Sequence, residues 1–77
     1  MVRNNLQYWR LQYAAKIGQD VNKKDMAAFY HIQYTQYFRY EANPDKYIPS
    51  GTTLFDIWQK LRILFPDINM QDLFVQD

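Results

Sequence analysis

Leu6, Trp9, Tyr13 and Ile17 recur at steps of three and four residues, the spacing that lines one face of an α-helix. The stretch NNLQYWRLQYAAKI therefore predicts a first helix. Gly18 follows as its C′ residue, free to take positive φ without a Cβ penalty. Asn22 is placed to cap a second helix, with Asp25 three residues on as a capping-box-like partner. Met26, Ala27 and Tyr30 mark the inner face of that helix. Ile32 and Gln33 sit at a tight turn, after which Tyr37 and Tyr40 carry the inner face of a third helix. Pro44 ends it, because the residue before a proline is pushed out of the α region.

Residues 43–51 hold two prolines and a glycine and read as a loop. Helical spacing returns with Leu54, Ile57, Trp58, Leu61, Leu64 and Phe65, with Thr53 as cap, Asp56 as its partner and Pro66 as the stop. Asn69 can cap a short fifth helix whose Asp72 lies in the first turn, where a negative charge suits the helix dipole. No strand-like alternation competes, and there is no repeat or low-complexity segment. The expectation is an all-α single domain over residues 1–77, built from five short helices.

Seventy-seven residues can close one modest core, and a 48% hydrophobic and 18% aromatic content excludes a disordered chain. Large rings offset the shortness, since each buried aromatic removes much apolar area from water. Cysteine is absent, which removes a disulfide framework and cysteine-ligated zinc. No apolar run approaches the roughly 18 residues of a membrane span, and the opening MVRNNLQ is too polar for a signal peptide. A cytoplasmic protein with no membrane association is expected. The net charge of +1 is unevenly divided: residues 1–46 hold seven cations against four acids, and residues 47–77 two against four. Such a split suits one anion-facing side. His31 is the sole histidine and sits in a turn, the acids are scattered as caps, and no glycine-rich phosphate loop exists. No enzyme, metal, cofactor or small-molecule ligand is expected.

The order of these features resembles the Xre/Cro-like helix-turn-helix regulators of phages, plasmids and bacterial genomes. NNLQYWRLQ is similar to the family's first helix, including Arg10. DMAAFYHIQYTQYFRYE matches its helix-turn-helix in length. In it, Ala27 stands at the helix crossing, Ile32 at the aliphatic turn position, Tyr37 at the buried position of the recognition helix and Glu41 at its closing glutamate. IPSGTTLFDIWQKL resembles the proline-serine entry to helix four, and FPDINMQDLF the ending that leads into a fifth helix. The chain departs from the family in about six added residues between the first two helices. It also has His31 where glycine is common and Gln33 in place of a serine or threonine cap. Histidine is among the residues better tolerated at positive φ.

The resemblance implies a compact five-helix, lambda-repressor-like domain that binds double-stranded DNA and regulates transcription, repressor fashion, with residues 33–42 in the major groove. It implies base contacts from Gln33, Tyr34, Thr35, Gln36 and Arg39, where short polar, Gln and Arg side chains can match base edges. It implies phosphate contacts from Arg10, Asn22, Lys23 and Lys24, although Arg10 is equally placed to pair with Glu41. Tyr30, Tyr37 and Tyr40 are expected in the core with wet hydroxyls. Phe29 and Phe38 fall at positions the family leaves polar, and packing, thymine contact and protein binding all remain open for them. A homodimer through residues near 70–77 is expected, because Met70, Leu73, Phe74 and Val75 crowd that segment; the alternative there is that Leu73 and Phe74 simply close the core. The alternative is a helix-turn-helix fold retained as a protein-binding adaptor.

Overall fold

The computed structural model describes residues 2–76. The chain runs β1 (Val2–Asn4), α1 (Leu6–Ile17), α2 (Lys23–Tyr30), α3 (Tyr34–Ala42), α4 (Gly51–Leu64), a 3₁₀ turn (Met70–Leu73) and β2 (Phe74–Gln76). It is mostly helical, but the five-helix expectation is corrected at its end. The capping box at Asn69 and Asp72 forms, with Asp72 Oδ2 accepting from Asn69 N–H at 2.9 Å. Only a single 3₁₀ turn follows it. Phe74–Gln76 then pairs antiparallel with Val2–Asn4, Arg3 lying opposite Val75. Two three-residue strands from opposite ends of the chain are too short to show alternation, and their pairing is entirely long-range. No helix among the described residues is long and apolar enough to cross a membrane.

The helix ends follow local chemistry. Gly18 takes φ 73° and donates its N–H to Ala14. Asn22 Oδ1 accepts from Asp25 N–H at 2.7 Å, closing the start of α2. His31 takes φ 59°, and Ile32 N–H reaches back to Ala27 O at 2.9 Å, so the tight turn is a left-handed cap carried by a histidine. One boundary moves. α4 begins at Gly51 with Ser50 as its N-cap residue, three residues before the expected Thr53, and the hydroxyls of Ser50 and Thr53 are hydrogen-bonded at 3.2 Å.

Leu6, Met26, Tyr30, Tyr37, Ile57, Leu61 and Leu73 are the large fully buried side chains. Trp9 and Trp58 hold the segment after α4 by donating their indole N–H groups to the carbonyls of Asp72 (2.8 Å) and Ile68 (3.0 Å). Leu73 is wholly buried, and Met70 and Phe74 pack against the same core. These side chains therefore close the domain itself, the alternative to the dimer. Ile17, expected on the inner face of α1, is exposed at the helix end.

Phe29 is not a surface group. Its ring packs edge-on against Tyr13 at 4.9 Å, because α1 runs on far enough to cover it. Tyr30, Tyr37 and Tyr40 are all buried. The wet-hydroxyl expectation fails for two of them, since the hydroxyls of Tyr30 and Tyr37 are buried away from solvent. Burial, reinforced by the Glu41 carboxylate, pushes both hydroxyls well above the usual tyrosine range. A raised folded-state value contributes stability that is fully present below the unfolded value of about 10 and is lost as pH rises beyond it. Above pH 10, unfolding free energy should fall by about 1.4 kcal/mol per pH unit for each such hydroxyl. Denaturant titrations across pH 9–12 read that slope, and Tyr30→Phe should remove one of the two contributions; an unchanged slope would place the Tyr30 hydroxyl in contact with water.

Candidate nucleic-acid interface

Three interactions set the position and rotation of α3. Arg10 forks onto Glu41, with Nε to Oε2 at 2.9 Å and Nη2 to Oε1 at 3.1 Å, while Nη1 donates to Val21 O at 3.0 Å. Asn4, buried at the end of β1, donates through Nδ2 to the carbonyls of Tyr40 (2.9 Å) and Tyr47 (2.8 Å). One carbonyl of the last α3 turn, which no intrahelical N–H can reach, is thereby satisfied. The third is the packing of Tyr37 on Tyr30, ring centroids 5.9 Å apart, which locks α3 against α2.

These contacts decide the two readings of Arg10. Its side chain is 14% exposed and bidentate on a carboxylate that is 1% exposed, so it is a structural partner and not an outward phosphate contact. The Glu41 hydrogen bonds raise its already high pKa further, keeping the guanidinium charged.

With Tyr37, Tyr40 and Glu41 turned inward, a helical rotation of about 100° per residue leaves three rails facing out. Thr35 and Arg39 form the crest. Tyr34 and Phe38 flank it on one side, 46% and 44% exposed, with their rings edge to face at 6.2 Å. Lys23, from the first turn of α2, places its Nζ over the Phe38 ring, 4.6 Å from the centroid. That contact identifies the Phe38 side as the one facing the start of α2. Gln36 lies on the other side and donates to the Tyr40 hydroxyl at 2.6 Å. Gln33, Thr35, Gln36, Arg39, Tyr40 and Tyr47 line a cleft of about 420 Å³ there.

Four of the five residues expected at the bases, Tyr34, Thr35, Gln36 and Arg39, thus lie exposed on one arc of one helix. Gln33 is exposed at its N-cap but makes no side-chain capping bond, so the start of α3 keeps open N–H groups. Asn22, Lys23 and Lys24 gather at the start of α2, where Asn22 Oδ1 is taken by the cap and Lys24 is exposed. Cations there oppose the helix dipole, a local cost that an anion against the same N–H groups would reverse. Sequence reasoning missed Asn4 and left the role of Phe38 open. Asn4 carried no signal beyond being an asparagine before a helix, whereas an apolar ring on an outward helical position was the visible sign of Phe38.

Among the described residues no group of three or more His, Cys, Asp or Glu side chains could hold a metal ion. No protein-family model, no curated protein and no solved structure matches the chain.

Proposed function

We propose that α2 and α3 form a helix-turn-helix that binds double-stranded DNA sequence-specifically and regulates transcription in the cytoplasm. The observation that carries this reading is the outward arc of α3, where Tyr34, Thr35, Gln36 and Arg39 project together from a helix pinned at its C-terminal end. Arg and Gln can hydrogen-bond base edges, and Thr and Tyr offer a hydroxyl beside apolar surface. Lys23, Lys24 and the first N–H groups of α2 would fix the register on the phosphates. A nine-residue helix reads few base pairs, so two copies on a symmetric site would supply useful specificity. With Leu73 and Phe74 drawn into the core, such pairing near residues 70–77 would fall to Val75, which lines a separate cleft at the strand end with the exposed Tyr8 and Leu11.

The test separates readers from positioners. Tyr34→Ala and Arg39→Ala should each weaken specific binding by about 1–3 kcal/mol and leave melting unchanged. Equal weakening on specific and random duplexes would show that they are not readers. Lys23→Ala should weaken both kinds of duplex alike and reduce the salt slope by about one unit. An unaltered slope would remove Lys23 from the phosphate contacts.

A second reading, a protein-binding adaptor, is favoured by one observation: Tyr34 and Phe38 expose two neighbouring rings on this face. It predicts that neither lysine nor salt affects the interaction strongly.

A further inference from the structure

Phe38 is an outward aromatic residue of α3 that bears no polar group, and it is not left loose. The ring of Tyr34 abuts it at 6.2 Å and the Lys23 ammonium lies 4.6 Å from its centroid. A cation held on an aromatic face restricts the ring and keeps a positive charge at the edge of the patch. The surroundings match an anionic partner better than an apolar protein surface: Lys23 covers the ring, Lys24 follows it on α2, and Arg39 is the next residue of α3. An all-apolar docking face would not keep an ammonium against its ring.

Phe38 also lies on the flank of α3 facing the start of α2, the end proposed above to meet a phosphate. A side chain there would approach the wall of the major groove rather than its floor. The apolar group that a base edge offers in the major groove is the C5-methyl of thymine, which projects toward the backbone of its own strand. We infer that Phe38 is a specificity-determining residue, reading the methyl group of a thymine while Lys23 contacts a phosphate beside it. Cytosine and uracil, which lack that methyl, would be disfavoured at this step. The inference rests on the DNA-binding reading and adds to it the base chemistry that one ring selects.

The experiment is a deoxyuridine scan of a duplex the protein prefers, replacing each thymine in turn. Uracil keeps every Watson–Crick and groove hydrogen bond and removes only the methyl. For the unaltered protein, one thymine per half-site should lose about fourfold in affinity, the effect of one buried methyl-sized group. Phe38→Ala should bind the thymine and uracil duplexes equally, with melting close to that of the parent because the ring is half exposed. Phe38→Gln, a good helix former, provides a second variant. A flat scan on a duplex bound in preference to random sequence would overturn the inference and leave DNA recognition standing. So would a Phe38→Ala protein that keeps the same uracil sensitivity, since another residue would then be the reader. No preference for any duplex would overturn both, and the ring pair would then belong to a protein partner.

Discussion

Tyr37→Ala should destabilise the domain by about 3–5 kcal/mol, the usual range for truncating a large buried ring. Tyr37 is fully buried, packs its ring against Tyr30, and lies midway along α3. Its loss would leave a void between α2 and α3 that rigid neighbours cannot fill. A small domain holds about 5–15 kcal/mol of stability in all, so the variant should be partly unfolded at ordinary temperature. Urea denaturation with a fluorescence readout from Trp9 and Trp58 measures the change. A midpoint close to that of the parent would mean that α3 is rotated, with Tyr37 outside and the reading face inside.

Arg10→Ala should cost a similar amount, about 3–5 kcal/mol, for a different reason. Removing one member of a buried pair leaves the other charged and unpaired. Here the survivor would be Glu41, whose side chain is 1% exposed, and the carbonyl of Val21 would lose its donor as well. A surface salt bridge would predict at most about 1 kcal/mol. Arg10→Met with Glu41→Leu provides the informative control. An apolar pair of similar volume removes the stranded charge and should recover much of the loss. If Arg10→Ala melts like the parent but binds duplexes with a reduced salt slope, the arginine faces phosphate after all and its fork onto Glu41 is dispensable.

The residues that could be read from the chain alone are those whose chemistry is local. Gly18, Asn22 and His31 mark helix ends because a left-handed φ or a side-chain oxygen is needed within a few residues of each. Met26, Ala27, Tyr37 and Tyr40 were legible because helical periodicity assigns a face before any partner is known. What could not be read depends on distant chain. The β1–β2 pairing joins residues 70 to 74 positions apart, and nothing in VRN or FVQ signals it. Asn4 gains its role only because Tyr40 and Tyr47 pass beside it. Phe29 sits at an outward position by period but is covered by Tyr13 from α1. The start of α4 was misplaced because Ser50 and Thr53 both make acceptable entries three residues apart, and local propensity does not rank them.

The candidate interface divides in the same way. Its outward arc follows from helix rotation, so Tyr34, Thr35, Gln36 and Arg39 could be placed together in advance. The fates of Arg10 and Lys23 could not. One turns in to a carboxylate and the other lies across a ring, and each outcome depends on how α1 and α2 pack around α3.

The central claim, that the outer arc of α3 reads DNA sequence, is tested most directly by selection from a random duplex pool at moderate salt. The account predicts enrichment of a short motif, with specificity at individual positions relaxed by Tyr34→Ala and by Arg39→Ala while both variants melt like the parent. A pool that stays random through successive rounds, or a motif that neither substitution alters, would contradict it.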